Sequence, residues 1–250
     1  MALLNVDFFS HTLGMGCTAK VILPQSAPDK PAQKPYKTLY LLHGLSDDHT
    51  AWTRWTSIER YANERSIAVV MPCAHRSFYS DRKNGGKYFE FVSDEMIRIM
   101  EEMFPLSGKR EDRYAAGLSM GGYGAMKLGL SCPEKFSVAA SLSGALDIIG
   151  RISAAEGQFR SEFADLLDNP DDKNDLFFLA EKLDKSSQPK PRLYIWCGTE
   201  DFLYEDNVKF KKFIEKTSFD VKYEESAGDH SWGYWDEKIK TVLDYIFSEK

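Results

Sequence analysis

Two five-residue runs, Thr38-Leu39-Tyr40-Leu41-Leu42 and Ile67-Ala68-Val69-Val70-Met71, are apolar almost without interruption rather than at alternate positions. A strand of that kind must be covered on both faces, which is the environment of a parallel sheet clad in helices. Shorter strand-like segments follow at 113–117, 137–142, 192–197 and 219–224. Helical spacing separates them at 52–65, at 88–104 (Phe91, Met96, Ile99, Met103), at 120–131, at 205–217 and at 235–248. Strict alternation of this kind predicts parallel strands joined by right-handed crossovers. Ahead of it, 3–10 and 16–23 read as an antiparallel hairpin around Gly14-Met15-Gly16, and the stretch from Pro24 to Pro35 as a surface connection. The expectation is one α/β domain over 1–250, with a mostly parallel sheet of about eight strands and helices on both faces.

One segment breaks the rhythm. Between Ser143-Gly144-Ala145 and Pro191 there are helical patches but no convincing strand. A long insertion in a compact domain is usually functional, and the part at about 150–190 reads as a cap over a site. Its acidic run from Asp168 to Asp175 superficially resembles a calcium loop. Lys173 stands where such a loop requires glycine, however, and Pro170 at a ligand position, so it reads as a surface turn. No metal and no cofactor is expected.

Charge and cysteine usage narrow the function classes. The chain has 32 Lys and Arg against 38 Asp and Glu, a formal net charge of −6, which offers no global attraction to nucleic acid or an anionic membrane. The first ten residues lack a basic segment, and Asp7 interrupts their apolar run, so they do not read as a secretory signal. No apolar stretch has the ~18 residues of a membrane span. Cys17, Cys73, Cys132 and Cys197 lie far apart without a Cys-x-x-Cys pair and read as buried free thiols. The expected location is the cytoplasm, and the expected partner a small molecule. Self-association is left open.

The chemistry enters at Gly117-Leu118-Ser119-Met120-Gly121. A Gly-x-Ser-x-Gly pentapeptide between a strand and a helix places its serine on a sharp, strained turn, and a Cβ two residues to either side would collide with the flanking elements. A serine needs a base to become a nucleophile, and the base needs an orienting acid. Where the order along the chain is Ser, acid, His, only His230 follows Ser119, because His11, His43, His49 and His75 all precede it. The acid belongs at the end of the preceding strand, where Gly198-Thr199-Glu200-Asp201 offers Asp201 and, less favourably, Glu200; Asp229 is the other alternative. Backbone N–H groups of Met120 and Leu45 are the expected oxyanion donors, the second presented by the turn His43-Gly44-Leu45. His43 itself reads as structural. Trp232, Phe159 and Phe163 are candidate pocket walls.

These residues, with Leu41-Leu42-His43-Gly44-Leu45, Gly121-Gly122-Tyr123-Gly124-Ala125, Cys197-Gly198-Thr199-Glu200-Asp201-Phe202-Leu203-Tyr204 and Gly228-Asp229-His230-Ser231-Trp232, resemble the esterase D family of α/β-hydrolases, and within it the bacterial tributyrin esterases. The resemblance implies the α/β-hydrolase fold with a Ser119, Asp201, His230 triad and Leu45 and Met120 as oxyanion donors. It also implies a serine carboxylesterase that cleaves short-chain acyl esters through an acyl-enzyme. A thioesterase like the S-formylglutathione hydrolases, or a feruloyl or acetyl esterase acting on plant-derived esters, is the alternative within the family. The glutathione-specific branch carries other residues at the positions of Leu118, Tyr123 and His43. An acyltransferase, or a binding module that has lost its chemistry, completes the set of competing readings.

Overall fold

The near-continuous apolar runs form the middle of an eight-stranded sheet. The computed structural model describes residues 1–25, 31, 33–83, 85–168 and 173–248. Its strands are β1 (Ala2–Ser10), β2 (Met15–Leu23), β3 (Thr38–Leu42), β4 (Ala68–Pro72), β5 (Arg113–Leu118), β6 (Val138–Leu142), β7 (Arg192–Gly198) and β8 (Val221–Ser226). They lie in the order β1-β2-β4-β3-β5-β6-β7-β8. The β1–β2 and β2–β4 pairs are antiparallel, and every pair from β4 to β8 is parallel. All residues of β3, β4, β5 and β6 are buried, whereas the edge strand β1 alternates between exposed and half-buried positions. Burial on both faces is what the unbroken apolar pattern demands.

Alternate strand residues feed two cores. On one face Leu39, Leu41, Val69, Tyr114, Ala140 and Trp196 pack against α1 (Ala51–Trp55), α2 (Ile58–Arg65) and α10 (Trp232–Phe247). On the other, Tyr40, Leu42, Val70, Ala115 and Ile195 meet α3 and α4 (Tyr88–Glu90 and Met96–Met103), α5 (Met120–Ser131), α8 (Leu176–Asp184) and α9 (Tyr204–Ile214). The insertion between β6 and β7 contributes α6 (Ile148–Ala154) and α7 (Gly157–Phe163) ahead of α8, with a 3₁₀ turn at Ala164–Leu166. Residues 169–172 of the turn that resembles a calcium loop lie outside the described residues, as do 26–30 and 32 of the Pro24–Pro35 connection. Among the described residues, no cluster of His, Cys, Asp and Glu is placed to hold a metal, and no helix is long and apolar enough to cross a membrane.

Three local expectations are corrected. The helix expected over 52–65 is two helices, because Thr56 turns its hydroxyl back to Trp52 C=O and accepts from Ile58 N–H, while Ser57 N–H donates to Asp236. The helix over 88–104 contains a π-helical turn at Phe91–Glu95, and the buried Glu95 accepts from Ser10 Oγ and His11 N–H to fasten the β1–β2 hairpin. All four thiols are free, but only Cys132 and Cys197 are buried. Cys17 and Cys73 sit towards the antiparallel margin of the sheet, where cover is thinner.

Candidate active site

The parallel strands β3, β5, β6, β7 and β8 all end at one edge, and the turns that leave them carry Leu45, Ser119, Met120, Asp201 and His230. Ser119 occupies the turn between β5 and α5 with φ 52° and ψ −117°, a left-handed backbone that costs a residue with a side chain about 1–3 kcal/mol and persists only when its surroundings impose it. They do so here. Ser119 N–H donates to Leu142 C=O at 3.0 Å, and its C=O accepts from Tyr123 and Ala145 N–H. A Cβ on Gly117 would strike the backbone of Gly121, and one on Gly121 would strike the carbonyl of Leu42 on β3. The two glycines therefore let strand and helix close on the serine.

The loops after β7 and β8 are tied to each other by backbone bonds, from Thr199 N–H to Ser226 C=O at 2.9 Å and from Glu200 N–H to Gly228 C=O at 3.0 Å. This junction brings Asp201 to His230. The Nδ1 of His230 lies 2.8 and 3.0 Å from the two carboxylate oxygens of Asp201. Asp201 is buried and its Oδ1 also accepts Leu203 N–H at 2.8 Å. Burial pushes its carboxyl up, but the hydrogen bonds from His230 and Leu203, with help from Ser143, outweigh this and hold it below the usual range. An ionised carboxylate can only accept, so Nδ1 carries the proton and Nε2 keeps a lone pair.

Among the described residues, neither alternative acid makes a side-chain bond to His230. Glu200 accepts Gly228 N–H at 2.5 Å and the Thr199 hydroxyl at 2.9 Å, and Asp229 is exposed. The imidazole of His230 is held between two rings, Phe202 at 4.4 Å and Trp235 at 4.9 Å between centroids. Among the described residues, Ser119 Oγ makes no hydrogen bond to His230. In ligand-free enzymes this contact is often long and tightens with substrate.

The turn after β3 lies against the serine, since a Cβ on Gly44 would come 2.8 Å from Leu118 Cδ1 and 3.8 Å from Ser119 Cβ. Among the described residues, the N–H groups of Leu45 and Met120 have no protein acceptor. Met120 is the first residue of α5, so its amide stands at the positive end of a helix dipole. His43 fixes this turn from below. Its Nε2 accepts Ala74 N–H at 3.0 Å, which leaves the proton on Nδ1, 2.7 Å from Gly44 C=O. Burial drives its pKa down to about 4, so it is neutral and structural.

A cleft of about 300 Å³ opens over Ser119. Leu45, Ala145, Phe202 and Leu203 line it from the strand-end loops, Phe78 from the loop after β4, and Ile148, Arg151 and Phe159 from the insertion. Of the expected pocket residues only Phe159 is there. Phe163 is fully buried beneath it, 4.9 Å from both Phe78 and Phe159. Trp232 packs on Trp52 at 5.2 Å and Trp235 at 5.3 Å, away from the cleft. Most of the insertion's other apolar residues also pack on the body, as Phe177 does against Phe210 and Phe213.

The insertion is fastened by side chains. Arg76 forms a two-pronged pair with Glu162 at 2.6 and 2.8 Å, and Arg82 reaches Asp165 at 2.8 Å. Further in, the buried Lys127 of α5 donates to Ser80 Oγ at 2.7 Å and Asn174 Oδ1 at 2.8 Å. Burial, partly offset by Asp81, lowers its pKa to about 7.

Residues 10–246 match the family model described as "Putative esterase". The chain belongs to this esterase family. The esterase is 34% identical over 262 residues to an acetyl esterase of Caldicellulosiruptor saccharolyticus, an alignment that covers 98% of each protein. Its fold superimposes with a TM-score of 0.90 on the substrate-bound fluorophosphonate-binding serine hydrolase FphF of Staphylococcus aureus, at 36% identity and 99% coverage of both chains. The S-formylglutathione hydrolase FrmB of the same organism gives 0.87 and 37%, again over 99% of both. The esterase is thus an α/β-fold serine hydrolase of the carboxylic ester class.

The aromatic walls at Phe78 and Phe202, and the guanidinium of Arg151, were not foreseen from the sequence. Phe202 had a signal in its position beside Asp201; Arg151 had none.

Proposed function

We propose that the esterase hydrolyses short-chain acyl esters through a Ser119–His230–Asp201 triad. The observation that carries this reading is the pairing of His230 Nδ1 with the buried Asp201 carboxylate at 2.8 Å, at the same sheet edge as the strained Ser119. Asp201 fixes the tautomer, so Nε2 is free to take the Ser119 proton as Oγ attacks the acyl carbon. The oxyanion then forms against the N–H groups of Leu45 and Met120, which are pre-oriented and spend no energy on reorganisation. His230 passes the proton to the departing alcohol and the acyl group stays on Ser119. Water, deprotonated by the same histidine, releases the acid and restores the serine.

The insertion over about 150–190 acts as the cap. Its Phe159, together with Phe78 and Ile148, makes the cleft apolar, and each methylene that fits gains about 0.8 kcal/mol of burial. A chain that overfills the cleft costs about 1–3 kcal/mol. Preference therefore climbs with acyl length and breaks soon after butyryl, in keeping with a relative described as an acetyl esterase. A thioesterase reading has its own support in the similarity to FrmB; Leu118, Tyr123 and His43 weigh against glutathione specificity.

The test is a fluorophosphonate label followed by peptide mapping, then a panel of esters varying acyl and alcohol separately with S-formylglutathione included. Labelling of Ser119 alone, with acetyl to butyryl esters turned over best, is the expected result. A label on another residue, or glutathione thioesters preferred by orders of magnitude, would overturn it. The rate kcat/KM should also fall on the acid side, because a protonated imidazole cannot accept the serine proton.

A further inference from the structure

We infer that Arg151 reads a carboxylate on the leaving-group side of the ester, making esters of acidic alcohols or phenols the preferred substrate class. This rests on the proposed roles of Ser119 and His230. Arg151 is the one charged residue among those described as lining the cleft. Its guanidinium carbon lies 5.4 Å from the centroid of the Phe202 ring, and that ring lies 4.4 Å from the imidazole of His230. His230 delivers the proton to the departing alcohol, so the row His230, Phe202, Arg151 runs along the alcohol's side of the scissile bond.

The guanidinium is poorly satisfied by the protein. Its Nη1 reaches the Asp206 oxygens only at 3.4 and 3.5 Å, at the outer limit for a hydrogen bond. Nε and Nη2 donate to no protein acceptor among the described residues. Asp206 is a weak counter-ion, because burial works against its charge more than Arg151 supports it, and Asp147 close by adds repulsion. Lys209, which pairs with Asp147, offsets that repulsion only in part, and burial still prevails. A planar fork of free N–H donors beside an aromatic face, in a cleft otherwise walled by carbon, suits a carboxylate bound in two-pronged fashion.

The competing account is that Arg151 is a surface cation whose stem merely walls the cleft. Two pairs of probes separate the accounts. The first is 3-acetoxybenzoate against its methyl ester, with the charge on the leaving group. The second is the 4-nitrophenyl monoester of glutarate against 4-nitrophenyl methyl glutarate, with the charge on the acyl part. The readout is the ratio of kcat/KM within each pair, which cancels any effect on shared machinery.

Arg151→Met should lower the first ratio by about tenfold, the size of one charge-assisted hydrogen bond, and shift the second by less than about twofold. Arg151→Lys should keep part of the preference. Asp206→Asn, which leaves Arg151 in place and removes its counter-charge, should raise the first ratio and keeps the test decisive if Arg151→Met folds poorly. An unchanged first ratio in Arg151→Met, an equal fall in both ratios, or no rise in Asp206→Asn would overturn the inference. Absence of turnover for all four probes in the unaltered protein would instead refute the hydrolytic reading beneath it.

Discussion

The serine turn and the inserted helices face each other across one cleft, yet they are fixed by different means. Ser119 is held by backbone: three main-chain hydrogen bonds and two positions where a single Cβ would not fit. The insertion is held by side chains, through Arg76 to Glu162, Arg82 to Asp165, Lys127 to Asn174 and the buried Phe163. A backbone-built turn has few sequence solutions and therefore leaves a motif. A side-chain-built cover has many, and can be recut without disturbing the turn below. The contrast predicts that changes at the strand ends remove chemistry, whereas changes in the insertion alter stability or selectivity.

The sharpest way to break that contrast is Ser119→Ala. It should lower kcat by roughly 10⁵–10⁶ with circular dichroism and melting temperature little changed; substantial turnover by a folded variant would remove Ser119 from the mechanism. Asp201→Asn should cost roughly 10⁴ in kcat by leaving the imidazole in the wrong tautomer, while Glu200→Gln and Asp229→Asn cost far less. Steady-state kinetics on the three variants would transfer the role if either of the latter proved the more damaging.

On the insertion's side, Phe163→Ala should destabilise the protein by about 3–5 kcal/mol, measured by urea unfolding, because the ring is fully buried among Phe78 and Phe159. Retained stability would mean that the insertion is not anchored there.

His43 gives the strand-end turn its own acid sensitivity. Above the unfolded value near 6.5 both states are neutral and the group has no effect. Between that value and about 4 the unfolded chain binds a proton that the native state refuses, so stability falls with falling pH; below about 4 the loss is complete. It amounts to about 3 kcal/mol at most. Unfolding free energies at successive pH values should decline more steeply for the unaltered protein than for His43→Gln, and equal slopes would argue against a neutral His43. Smallest in energy is Phe159→Ala, which should move the acyl-length break to longer chains by about 0.8 kcal/mol per added methylene while acetyl esters are still turned over. A profile that does not move would make Phe159 packing rather than a boundary of the site.

Legibility in the sequence follows the same division. Strands β3 to β8 and helix α5 were readable to within a residue or two, because burial on both faces and strand–helix alternation leave few other patterns. The pairing of Asp201 with His230, on which the proposed triad rests, was readable from chain order, since a single histidine follows the pentapeptide. The cleft walls were not. Phe78, Ile148 with Arg151, and Phe202 come from three separate stretches, and which of them face the cleft depends on how the insertion is seated. Phe163 and Trp232 show the limit: both are aromatic and close to the site in sequence or space, and both turned into packing. The break at Thr56 and the π turn at Phe91–Glu95 were hidden for another reason, being side-chain and hydrogen-bond choices inside stretches whose apolar spacing reads as continuous helix.

The row of rings that ends at His230 has an optical consequence. Trp52, Trp232 and Trp235 stand edge to face at 5.2 and 5.3 Å, and Trp235 meets the imidazole at 4.9 Å. Excitation shared among indoles at such spacing reaches the one that touches His230, and an imidazolium quenches indole emission far more strongly than a neutral imidazole does. The intrinsic fluorescence of the protein should therefore dim whenever His230 takes a second proton at Nε2, so stopped-flow emission can follow the proposed base through a single turnover without any added dye.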